Sequence, residues 1–93
     1  MPKLVRDRIP ELFGGQATPL PEAAFRAALH EKLQEEVTEY LESGEVEELA
    51  DVLEVIFALA ELDGLTPAEL EKARAAKAQA RGAFVRRLWW TPT

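Results

Sequence analysis

The sequence contains no cysteine, so disulfides and thiolate metal sites are excluded outright. It has one histidine, His30. No serine–histidine–acid constellation and no glycine-rich phosphate loop can be assembled from it; Gly14-Gly15 and Gly82 are isolated and read as turns. No apolar run approaches the ~20 residues of a membrane span. The opening Met1-Pro2-Lys3-Leu4-Val5-Arg6-Asp7 lacks the apolar core of a secretion signal, so a cytoplasmic protein away from any membrane is expected. Positive charge is also short: 11 bases face 17 acids, for a net charge of −6. An acidic domain is a poor partner for a nucleic-acid polymer, which needs a basic face. Acids can instead gather hard cations such as Mg²⁺.

What is present suffices for one small domain. Apolar residues make up 47% of the 93 and charged residues 30%, ordinary values for a globular chain. A domain of this size buries only ~60–65% of its unfolded surface and is marginal alone, so completion by a second subunit is expected.

Punctuation divides the chain into an arm and loop (1–20), a helical body (21–82) and a tail (83–93). The arm has room for one helical turn at Pro10-Glu11-Leu12-Phe13. Pro21 suits a helix start, and that helix is predicted to run to about Glu42 and stop at Ser43-Gly44. A second should span Glu45 to Leu62 and end at Asp63-Gly64. A third opens with Thr66-Pro67-Ala68-Glu69, a capping box with proline at the first helical position, and should reach Arg81. The tail reads as irregular. The predicted fold class is all-α, a small bundle of three main helices completed by oligomerisation into a homodimer or larger homo-oligomer.

Several acids fall where a soluble helix would place apolar residues. On a helical wheel, Glu36 lies between Phe25 and Leu29 in the apolar stripe of the first main helix, with Glu39 on the shoulder. On the second, Glu48 lies between Val55 and Leu59, and Asp51 sits at the edge beside Leu62. Burying an unpaired carboxylate is costly. Two helices joined by a short turn pack antiparallel, so the two acid pairs can converge, and a divalent cation would remove their repulsion. The competing reading is that such acids are solvated and that Lys32 pairs with Glu35 or Glu36 at helical spacing. Residues 45–62 contain no Lys or Arg that could play that part on the second helix.

The stretch Lys32-Leu-Gln-Glu35-Glu36-Val-Thr-Glu39, followed by Glu48-Leu-Ala-Asp51-Val-Leu-Glu-Val-Ile, resembles the Glu-Glu-x-x-Glu … Glu-x-x-Asp signature of the all-α NTP pyrophosphohydrolases, the MazG-like superfamily. The opening Lys3-Leu4-Val5-Arg6-Asp7-Arg8-Ile9-Pro10 and the later Lys77-Ala-Gln-Ala-Arg81-Gly82-Ala-Phe84 resemble a short phosphoribosyl-ATP-pyrophosphohydrolase-like subgroup. The resemblance implies Mg²⁺-dependent hydrolysis of a nucleotide between its α- and β-phosphates, to monophosphate and pyrophosphate, with Mn²⁺ as the substitute metal. It implies metal ligation by Glu36, Glu39, Glu48 and Asp51. Glu35 matches the first acid of the motif, where with Glu36 it would act in catalysis, serving a second metal or orienting water. The alternative is a catalytically silent metal- or nucleotide-binding module. A triphosphate near an acidic protein also needs cations. Arg74, Lys77 and Arg81 form one line with Leu70 on the third helix, and the arm adds Lys3, Arg6 and Arg8. Lys3, Arg6, Arg74, Lys77 and Arg81 are the candidate phosphate contacts. His30 is expected to be a partly buried helix residue, and Trp89-Trp90 to pack on the bundle or on a second subunit.

Overall fold

The computed structural model describes residues 2–93. It is all-helical, with four helices and no strand among the described residues: α1 (Ile9–Phe13), α2 (Glu22–Ser43), α3 (Val46–Leu62) and α4 (Pro67–Arg81). The three main helices fall within a residue or two of the boundaries expected from Pro21, Gly44 and the Thr66 capping box, and α1 is the single turn expected in the arm.

α2 ends because Gly44 takes a left-handed conformation, φ 70° and ψ 10°, which a side chain would resist. Its N–H donates to the Tyr40 carbonyl at 2.7 Å, satisfying one of the helix's terminal acceptors. The Ser43 hydroxyl accepts from the Glu45 N–H at 3.1 Å, and α3 begins at the next residue. This short turn folds α3 back against α2, making an antiparallel hairpin that supplies most of the tertiary packing. At its open end Arg26 of α2 pairs with Asp63 after α3 at 3.0 Å.

α4 starts on a complete capping box. The Thr66 hydroxyl accepts from the Glu69 N–H and the Glu69 carboxylate accepts from the Thr66 N–H, both at 3.1 Å. It packs on α3 alone and buries none of its residues.

The core is thin. Leu29, Val55 and Ala60 are the buried apolar residues. The accessible surface is 8441 Å² for a 10.4 kDa chain, against ~5,400 Å² for a compact monomer of that mass. The radius of gyration is 16.7 Å, against ~12 Å for a compact domain of this length. The excess is visible on α3, whose apolar arc is wider than one partner helix can cover: Val46 is 74% exposed, and Leu49 and Leu53 are 47% exposed. One expectation fails at the surface, and another loses one of its two alternatives. His30 is exposed, on the rim of an open depression with Glu22 and Arg26, rather than partly buried. Trp89 and Trp90 are 96% and 82% exposed and do not pack on the bundle, because the tail leaves α4 at Gly82 without returning to the hairpin.

Candidate metal centre

The hairpin brings the intruding acids together. Glu36 is the one buried charged residue among those described, 6% exposed on a helix whose other buried residue is Leu29. The spacing explains this: Glu36 is seven positions after Leu29, two helical turns along the same stripe. Glu48 and Asp51 are half-buried on the facing surface of α3. Carboxylate oxygens of Glu36, Glu48 and Asp51 all lie within 4.8 Å of one another. A second group, Glu35, Glu36 and Glu39, meets the same limit. The four expected ligands therefore divide into two sets that share Glu36. Glu48 and Asp51 face it across the hairpin, while Glu35 and Glu39 flank it along α2.

Two cations moderate the cluster. Lys32 Nζ lies 3.3 Å from Glu36 Oε1 and 3.5 Å from Glu35 Oε2, so the competing pairing weighed from helical spacing is present at both acids. Arg6 Nη2 donates to Asp51 Oδ1 at 2.6 Å. The sequence reading gave Arg6 to a phosphate and missed this contact. Its one available signal was indirect: α3 carries no base, so any cation beside Asp51 has to come from another element.

Neither cation completes the site. Glu36 Oε2 and Glu48 Oε2 are both buried and have no hydrogen-bond partner. A buried acceptor without a donor is costly, and such groups are rare in folded proteins. Burial pushes the Glu36 carboxyl above its ordinary pKa; Lys32 pulls it down and the neighbouring Glu39 charge pushes it further up. Desolvation wins, so the Lys32 charge offsets the burial of Glu36 only in part. Hard carboxylate oxygens grouped in this way are the donor set that Mg²⁺ or Ca²⁺ takes.

The other proposed phosphate contacts lie elsewhere. Arg74 is held by Glu71 through two short contacts, 2.8 and 2.6 Å, on the exposed side of α4. That hydrogen bond raises the Arg74 pKa and lowers that of Glu71. Lys77 and Arg81 are exposed as well, and the half-buried residues of α4 are Leu70 and Ala78. The line of bases beside Leu70 thus faces solvent, because α4 packs on α3 alone. Lys3 is exposed on the arm, and none of Lys3, Lys77 and Arg81 forms an ion pair among the described residues. The open surface depressions around His30 and along residues 81–88 are lined by none of the cluster acids.

Compared with family models, curated proteins and solved structures, the chain matches none. No helix among the described residues is long and apolar enough to cross a membrane.

Proposed function

We propose that this chain is a Mg²⁺-dependent nucleoside triphosphate pyrophosphohydrolase of the MazG-like kind. It would cleave an NTP or a related nucleotide, phosphoribosyl-ATP among them, between the α- and β-phosphates. The observation that carries this reading is the pair of orphaned, buried carboxylate oxygens, Glu36 Oε2 and Glu48 Oε2, in a group whose third member is Asp51. These acids stand at the positions of the Glu-Glu-x-x-Glu … Glu-x-x-Asp pattern.

Glu36, Glu48 and Asp51 would hold the ion, with Glu39 and Glu35 disposed about a second position next to Glu36. Bound Mg²⁺, or Mn²⁺ in its place, polarises phosphoryl oxygens and lowers the pKa of a bound water. The chain's own residues divide the remaining work. Arg6, 56% exposed at its side chain, would exchange Asp51 for a phosphate oxygen. Glu35, 43% exposed beside the buried Glu36, would accept a proton from water. Lys32 offsets charge at both acids before substrate arrives. We also infer that the working form contains at least two copies, a reading supported by the thin core and the large accessible surface, and that it works in the cytoplasm.

A second reading has its own observation. Arg6 on Asp51 and Lys32 on Glu36 could equally be permanent partners, leaving a module that binds metal or nucleotide without turnover. A pyrophosphate-release screen over canonical and damaged nucleotides and phosphoribosyl-ATP, with Mg²⁺ and with EDTA, separates the two. Release that requires Mg²⁺ and vanishes in Glu36→Gln supports the enzyme. Calorimetric binding of Mg²⁺ with no release from any nucleotide leaves the silent module, and absence of both defeats the metal reading.

A further inference from the structure

The tail is the most exposed apolar segment of the molecule. Phe84, Val85, Leu88, Trp89 and Trp90 are between 72% and 96% exposed. Single exposed apolar residues are ordinary, but a run of large ones is characteristic of a contact surface. Among the described residues its one hydrogen bond is local, Arg87 N–H to the Phe84 carbonyl at 3.2 Å.

Charge along the chain is divided just as sharply. Residues 33–62 of the hairpin hold ten acids and no base, whereas the tail, residues 83–93, holds two bases, Arg86 and Arg87, and no acid. The hairpin and the tail are therefore opposite in sign, and opposite surfaces steer and register association. In one copy they do not meet, as the exposure of the tail shows. The hairpin meanwhile has uncovered apolar residues near its turn, Leu41 at 76%, Val46 at 74% and Leu49 at 47%, with Glu42, Glu45 and Glu47 among them.

We propose that the tail of each copy docks on the turn end of the α2–α3 hairpin of a second copy, in a reciprocal exchange. Leu88, Trp89 and Trp90 would cover Leu41, Val46 and Leu49, and Arg86 and Arg87 would face Glu42, Glu45 and Glu47. The surface available is ample: the excess over a compact monomer is ~3,000 Å² per chain, and a stable interface needs ~800 Å² from each partner. Tryptophan and arginine are the residue types that most often dominate binding energy. Exchange about a two-fold axis closes on two copies, since each copy gives its tail to the partner whose tail it receives. This proposal stands apart from the metal reading and holds whether or not the acids bind a cation.

Both tryptophans of the chain are in this segment, so intrinsic tryptophan fluorescence of the full chain reports on the tail alone. The experiment follows emission and sedimentation together over a dilution series, for wild type and for Arg86→Glu/Arg87→Glu. Wild type should sediment as a dimer with blue-shifted emission, and both signals should revert in step on dilution. The charge-reversed variant should keep the same helical circular dichroism but need roughly tenfold or more protein to dimerise. Adding Glu45→Lys/Glu47→Lys to that chain should restore dimerisation. A dimer whose emission matches fully hydrated tryptophan overturns the proposal while leaving the oligomer intact. Blue emission that ignores concentration overturns it in favour of fold-back within one copy. Blue emission that appears only with anionic lipid vesicles overturns it in favour of a membrane surface. A monomer at every concentration defeats both this proposal and the inferred oligomer.

Discussion

Arg6 and Asp51, 45 positions apart in sequence, meet at 2.6 Å and form, among the described residues, the one ion pair that ties the N-terminal arm to the helical hairpin. Both side chains are partly exposed, so the pair itself contributes little, about 0–1 kcal/mol. Its larger effect is on the acid cluster, where the guanidinium stands in for part of a missing positive charge. Arg6→Ala should therefore leave the melting temperature nearly unchanged and strengthen Mg²⁺ binding in the absence of nucleotide. Calorimetric titration of both proteins checks this; weaker Mg²⁺ binding in the variant would show that Arg6 organises the site instead of competing for it.

Glu36→Gln and Glu48→Gln should raise metal-free stability and remove the stabilisation given by millimolar Mg²⁺. Each removes one of several like charges held close together in a partly apolar setting, and each removes a ligand. A purely structural glutamate would behave oppositely, losing roughly 1–3 kcal/mol when its hydrogen bonds break. Melting curves in EDTA and in Mg²⁺ distinguish the signs. Variants that are destabilised in EDTA yet keep the full Mg²⁺ increment would sink the metal assignment.

The pH dependence of the metal-free protein follows from the same residue. The Glu36 carboxyl is raised in the folded chain, chiefly by burial. Between the ordinary carboxylate pKa and that raised value, the folded state binds more protons than the unfolded state. Stability then falls as pH rises through this window, and the cost is fully present above it. Acidifying from neutral pH toward the upper edge of the carboxylate range should raise the melting temperature in EDTA. The slope should flatten in Glu36→Gln; an identical slope in the variant assigns the dependence to other groups.

Lys32 has the opposite role. Its side chain is 20% exposed and its ammonium is the cation nearest to Glu36, whose side chain is 8% exposed. Lys32→Met should destabilise the metal-free protein by about 1–3 kcal/mol, because a buried carboxylate loses its remaining partner. Mg²⁺ should recover part of that loss. Denaturant titrations with and without Mg²⁺ test it, and no loss in EDTA would mean that Glu36 is already neutral there.

Thr66→Ala removes one half of the α4 capping box and should cost about 0.5–2 kcal/mol. Metal affinity should be untouched, since α4 carries none of the cluster acids. A matched fall in Mg²⁺ binding would reveal coupling between α4 and the hairpin that the packing does not suggest.

The helices were legible because their ends are written locally. Pro21, Gly44 and the Thr66–Glu69 box each act on neighbours a few residues away, and each set a boundary where expected. The acids were legible for a related reason: Glu36 and Glu48 interrupt apolar stripes, and a short turn forces those stripes together. Contacts between distant segments were not. Nothing near Arg6 announces Asp51. The wheel position of Lys77 next to Leu70 pointed inward only on the assumption that another helix covered that side of α4. His30 failed in the same way, since a wheel shows which residues share a face but not whether anything lies against it.

The short Ser43–Val46 turn has a kinetic corollary. All the cluster acids, from Glu35 to Asp51, belong to one hairpin, so the centre is built from contacts between residues close in sequence. Such contacts form early, before loops of high closure entropy are ordered. During synthesis the whole acid set has been made once Asp51 is added, while α4 and the tail are still to come. A cation captured at that stage would template the hairpin, making metal supply a determinant of how fast the chain folds as well as of how stable it becomes.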